Sequence, residues 1–177
     1  MKKKTICIIS QSYYPQDTRI KKYVDLLLDS GFKVDLITLK RKDLQKKENL
    51  GSLKIYRGGL EKKRASLFRY LLEYLCFFFY VFFKVTILFL NNRYRLIHVN
   101  TLPDFLVFST IIPKIYGSKI ILDLHEIAPE FFMVKFNKSE NHFLICTLRF
   151  IEKLSMRFAS HNITVSEAIK KIFARII

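Results

Sequence analysis

The stretch Lys119–Glu130, KIILDLHEIAPE, restricts what this chain can fold into more than any other. Ile120, Ile121 and Leu122 form a continuous apolar run, with Gly117 and Ser118 before it and Pro129 closing the segment after it. A short apolar run between turn signals reads as a strand buried on both faces, which needs layers packed on either side. The polarity then changes abruptly at Asp123, His125 and Glu126. In open α/β sheets ligands bind beyond the carboxyl ends of the strands, so a His and acidic groups placed there are candidates for chemistry. The alternative is that Asp123 and Glu126 cap a helix or bind backbone amides, and that His125 is a satisfied loop histidine.

The rest of the chain alternates strand and helix. Thr5–Ser10 reads as a buried strand and Gln11–Gln16 as a loop. Asp17 or Thr18 caps a helix whose inner stripe is Ile20, Tyr23, Val24, Leu27 and Leu28, and Gly31 stops it. Lys33–Leu39 is the next strand, Arg41–Gly51 a basic loop, and Leu53–Arg57 a short strand before the Gly58-Gly59 turn. After the long apolar segment Ser66–Asn92, Arg95–Asn100 is a strand. Thr101, Pro103 and Asp104 then start a helix faced by Phe105, Leu106, Ser109, Ile112 and Tyr116, kinked or shortened by Pro113. Beyond the central strand, Pro129–Asn141 reads as a loop carrying Phe131, Phe132, Met133 and Phe136 beside Lys135 and Lys138. His142–Ala159 is a helix with Leu144, Leu148, Ile151, Leu154 and Phe158 inward, and His161–Val165 is a last strand. Ser166 caps a last helix, whose apolar stripe Ile169, Ile172, Phe173 and Ile176 runs on without a stop signal. Such a stripe predicts further protein: a fragment, a truncated product, or one half of a two-chain enzyme. The alternation predicts an α/β fold: a Rossmann-like αβα sandwich with right-handed crossovers and a mainly parallel sheet of about six strands.

Composition excludes several classes. A chain of 177 residues, half of them apolar, can build one domain with a real core and is not disordered. The formal charge of +16, from 31 Lys and Arg against 15 Asp and Glu, favours an anionic partner. No helix-turn-helix, zinc-finger or aromatic RNA-binding motif is present, so that partner is not read as nucleic acid. Cys7, Cys76 and Cys146 stand apart, with neither metal-ligand spacing nor a C-x-x-C pair. That pattern suits a reducing cytosol, and no metal is expected. The apolar run behind Met1-Lys2-Lys3-Lys4 is too short for a signal-peptide core, which predicts a cytoplasmic protein.

From Tyr74 to Leu90 the only charged residue is Lys84. On a helix, Arg69, Glu73, Tyr80, Lys84 and Asn91 fall on one narrow polar stripe. An interfacial helix has a use for such a stripe and a bilayer span does not. This predicts peripheral attachment at the inner face of an anionic membrane. Contacts would come from Arg69, Phe77, Phe78, Phe82 and Lys84, with Phe131 and Phe132 from the later loop. Lys62, Lys63, Arg64, Arg93 and Arg95 flank the segment and would meet anionic lipid. A crossover helix buried against a partner, and a true span, stay open.

Four segments in order carry a resemblance. SYYPQDTRIKKYVDLLLDSGFKVDLITL, IHVNTLPDFL, GSKIILDLHEIAPE and ITVSEAIKK together resemble the N-terminal domain of glycosyltransferase family 4 enzymes. The resemblance implies a GT-B architecture in which residues 1–177 form the acceptor-side Rossmann-like domain. The nucleotide-sugar-binding domain would lie outside this chain, so the chain is expected to be inactive alone. It implies a retaining transfer of a sugar from a nucleoside diphosphate sugar to a hydroxyl, in polysaccharide biosynthesis, with no bound cofactor or metal and a second chain or domain as partner. His125 falls where the family places a His at the reacting centre, and Glu126 aligns with an acidic neighbour. Tyr13, Tyr14, Asp17, Arg19 and Asn100 would line the acceptor side of the cleft. Helix capping by Asp17 and ordinary packing of the two tyrosines are the alternatives. The glycine-rich first loop of many members is missing, since Gln11–Gln16 contains no Gly. A non-catalytic membrane-surface or partner-binding module derived from such an enzyme, and an unrelated α/β nucleotide-binding protein, are the other readings.

Overall fold

The structure is a computed structural model that describes residues 4–63 and 66–164. In chain order its elements are β1 (Thr5–Ser10), α1 (Thr18–Asp29), β2 (Lys33–Leu39), β3 (Lys47–Leu50), β4 (Leu53–Gly58) and α2 (Leu67–Asn92). They continue with β5 (Leu96–Asn100), a 3-10 helix (Asp104–Thr110), α3 (Ile111–Ile115), β6 (Lys119–Leu124), α4 (Ala128–Phe136), α5 (Phe143–Phe158) and β7 (His161–Thr164). The strands form one seven-stranded sheet in the order β3-β4-β2-β1-β5-β6-β7. All neighbours pair in parallel except β3, which lies antiparallel to β4. This is the expected Rossmann-like α/β fold. The order reverses between β1 and β5, so a crevice is expected beyond the carboxyl ends of those two strands.

Strand side chains alternate between the two faces. Ile8, Val34, Leu36, Leu53 and Ile55 meet Ile20 and Val24 of α1. Cys7, Ile9, Ile37, Leu39, Ile97, Val99, Ile120 and Leu122 point the other way, beneath α2, the 3-10 helix and α5. A smaller cluster joins Tyr70 and Tyr74 of α2 to Phe132 of α4 and Ile145 of α5.

Several local expectations change. β3 lies inside the stretch read as a basic loop, because Gly51, at φ +69°, lets residues 47–50 fold back on β4. Arg57, its side chain 2% exposed, pins that hairpin through Glu48 at 2.6 Å. The stretch read as a loop from Pro129 is mostly α4. Pro129 sits in the first turn, where its missing N–H costs nothing, and Asn137 ends the helix at φ +48°. Thr101 does not cap a helix; the helical turn begins at Asp104 and is 3-10 until Thr110. In α5 Leu154 faces solvent at 40% exposure, while Ile145, Glu152, Ser155 and Met156 are buried. Val165, Ser166 and the stripe from Ile169 to Ile176, with Arg64, lie outside the described residues.

α2 is the crossover from β4 to β5. Its inner face buries Phe77, Val81 and Val85 completely in the main core. The polar stripe borders that inner face and is used against the protein. Arg69 Nε pairs with Glu73 at 2.9 Å, and the Lys84 ammonium stands 4.5 Å over the Tyr56 ring.

Candidate active site

The parallel register sets Asn100 beside Asp123 and His98 beside Ile121. All four point to the α1 face of the sheet, near its carboxyl edge. Asp123 is fully buried, and its Oδ2 accepts from His98 Nε2 at 3.2 Å. His125 Nε2 stands 2.9 Å from the same oxygen, off the line of a good hydrogen bond. Burial alone would push this carboxyl up. His125 and His98, both close against the same oxygen, overcome it and hold Asp123 well below the usual carboxylate range. Tyr23 of α1 closes the cluster, its ring 4.9 Å from His98 and edge-on. Burial, then the Asp123 charge, push the Tyr23 phenol up to about 12. Thr101 ties the two strand ends together: its Oγ1 donates to Asp123 O at 3.1 Å and accepts from His125 N at 3.2 Å.

His125 therefore lies in the loop at the carboxyl edge, as expected, with Glu126 exposed beside it. Its ring is turned inward onto Asp123, with the side chain only 5% exposed. Its Nδ1 has no partner among the described residues, and neither has Asp123 Oδ1.

The residues expected to line the acceptor side divide. Asn100 is buried at the switch point between β1 and β5; its Nδ2 donates to Ile9 O at 3.3 Å, and its Oδ1 has no partner among the described residues. Gln11, just past β1, likewise has an unpartnered Oε1. Tyr14 does not reach the cleft: it is 8% exposed and packs with Ile20 and Val24 on the α1 face. Tyr13 accepts through its hydroxyl from Lys62 N at 2.9 Å, over the opposite face of the sheet. Asp17 caps α1, accepting from Arg19 N at 3.1 Å and Ile20 N at 3.4 Å, and pairs with the Arg19 side chain at 3.4 Å. Of the residues expected at a membrane, Phe77 and Phe132 are core, at 0% and 2% exposure, and cannot touch a surface. Phe78, Phe82 and Phe131 are half-buried, and Arg69 and Lys84 are engaged with Glu73 and Tyr56. The aromatic spacing located the helix without telling its inner face from its outer one.

Sequence reasoning missed His98, Tyr23 and a second acidic pair. His98 and Asn100 alternate in an otherwise apolar strand, and that period-2 polarity is the signal that could have found them. Asp104 and Glu152 are both buried. Burial, then Glu126, push Asp104 up to about 7; burial, then Asp104 and Glu130, push Glu152 up to about 8. No metal-ligating group of three or more His, Cys, Asp or Glu exists among the described residues.

Residues 17–176 match the family model described as Glycosyltransferase Family 4. The chain belongs to glycosyltransferase family 4. The family match begins at Asp17, the cap of α1, and includes Asn100, Asp123, His125 and Glu126. One solved structure similar to this family 4 domain is titled "Crystal Structure of UDP-galactose 4-epimerase". It matches at 9% identity and a TM-score of 0.38, covering 91% of this chain and 76% of that one, too loosely to carry an argument.

Proposed function

We propose that this glycosyltransferase-like domain forms the acceptor side of a site that transfers a sugar from a nucleoside diphosphate sugar to a hydroxyl of a glycan or membrane-associated acceptor, in polysaccharide assembly. The transfer breaks the bond between the anomeric carbon and the diphosphate oxygen. It forms a bond from the same face to the acceptor oxygen, and the acceptor proton leaves with the diphosphate. The observation that carries the reading is His125 Nε2 standing 2.9 Å from a buried, ionised Asp123, with Nδ1 unpartnered among the described residues, inside a family match. Asp123 sets the inward orientation of the ring, and Nδ1, buried here, is the nitrogen this reading assigns to a substrate hydroxyl. On this reading the His125 ring, in the surface loop after β6, turns outward from Asp123 when the acceptor binds. The leaving diphosphate needs cationic groups or helix N-termini, which we assign to a second Rossmann-like unit in the same or another polypeptide.

A second reading, a non-catalytic module, is favoured by the inward turn of the His125 ring. The test adds the chain to source-cell extract with a panel of labelled nucleotide-sugars. Label should pass into the lipid or glycan fraction with the native chain and fall by a factor of about 100 or more with His125→Ala. Incorporation unchanged by that substitution would leave the non-catalytic reading.

A further inference from the structure

The outer face of α2 is apolar from end to end. Phe68, Leu75, Phe79, Phe83, Ile87 and Leu90 lie on one side of the helix, between 49% and 75% exposed. A helix of 26 residues is about 39 Å long at 1.5 Å per residue. The stripe is on the order of 600 Å², the upper end of what a monomer exposes. Where it ends, the charge changes. A cleft of about 560 Å³ opens at the amino edge of the sheet, opposite the His125 edge, and Asn91, Asn92 and Arg93 at the end of α2 form one wall. Lys4, Lys33, Lys54 and Arg95 are also in its lining. The one acid there, Asp35, is already engaged: its Oδ2 accepts from Tyr94 Oη at 2.5 Å and Asn92 Nδ2 at 2.7 Å. Beside the cleft Arg93 stands 5.8 Å over the ring of Tyr116, which with Ile115 is more than half exposed.

We propose that α2 is a membrane-docking helix that lies flat on an anionic bilayer. Its outer stripe enters the acyl boundary, and the cleft at its carboxyl end takes phosphate headgroups. Charge selects this occupant over a second protein surface: the chain carries +16, and the stripe ends at a cationic cleft rather than in a polar rim of both signs. An apolar face bordered by cations is the pattern of interfacial helices. Although α2 is long and apolar enough to cross a membrane, its other face holds Phe77, Val81 and Val85 in the sheet core. Crossing would strip that core, so the helix lies on the surface. The inference does not rest on sugar transfer, because its readout is binding.

The test is flotation of the full chain with vesicles of neutral phosphatidylcholine, with or without phosphatidylglycerol, at low and high salt. The chain should float with the anionic vesicles, and salt should release it. Phe79→Ser with Phe83→Ser, and separately Lys54→Glu with Arg95→Glu, should each lower partitioning about tenfold or more, with circular dichroism unchanged. Failure to float on anionic vesicles at low salt would overturn the proposal, as would variants that float like the native chain. Concentration-dependent dimers dissolved by Phe83→Glu, without flotation, would assign the stripe to a second copy. Binding that resists alkaline carbonate would make α2 a span.

Discussion

The Tyr80 ring lies flat on Gly58, so that a Cβ at position 58 would stand 2.3 Å from ring carbon Cζ and 2.5 Å from Cδ2. This contact sets how closely α2 crosses the end of β4. Gly58→Ala must push the ring or the helix outward, and should destabilise the domain by about 1–3 kcal/mol. Combining it with Tyr80→Leu should recover much of the loss. Denaturant unfolding of the two single variants and the double variant reads the coupling, and strictly additive effects would show that the two residues do not meet in solution.

Asp123→Asn should destabilise the domain by about 1–3 kcal/mol near neutral pH, because it removes a buried charge from between His98 and His125. The folded value of Asp123 is depressed, so its contribution is full above its ordinary 3.8 and is lost as pH falls through the lower folded value. The gap between native and variant melting temperatures should therefore hold from neutral pH down to about 4 and narrow below it. A gap that stays constant in acid would mean that Asp123 is not ionised in the fold.

Glu152 has the opposite sign. Its folded value, about 8, lies above its ordinary 4.5, so the native state binds a proton that the unfolded chain has released. Its contribution is whole below 4.5 and is lost as pH rises to about 8. Glu152→Gln should leave stability near pH 4.5 unchanged and raise the melting temperature at pH 8 by a few degrees. Thermal melts across this window check it; a variant that tracks the native chain throughout would place Glu152 in contact with water.

On the proposed reading, in which this domain is the acceptor-side wall of the site, the purified chain should release no diphosphate from nucleotide-sugars. A coupled assay for nucleoside diphosphate measures this directly. Turnover that disappears with His125→Ala would show a complete site in this chain.

The parallel strands and their order of burial were legible because apolar runs between turn signals leave few alternatives. His125 and Glu126 could be placed at the carboxyl edge of the sheet because they follow such a run. His98 and Tyr23 were not, since strand register and the docking of α1 bring them to Asp123 from far along the chain. α4 was hidden by Pro129, which stops a helix from within but starts one in its first turn. The inward face of α5 was misread because Glu152 and Ser155 are buried there, and no rule of apolar periodicity puts a carboxyl inside. Along α2 nearly every position is apolar, so periodicity could not separate the residues that meet the sheet from those that meet solvent.

The antiparallel β3 has a further consequence, for how copies of this protein can associate. An open parallel sheet leaves a row of unpaired backbone groups on which another chain can add a strand. Here that border is a four-residue strand, Lys47–Leu50, with Lys47 and Glu48 on it and Lys46 just before it. Strand-by-strand growth from this side meets a short, charged ledge. If the protein forms fibres under stress, they should start elsewhere than at β3.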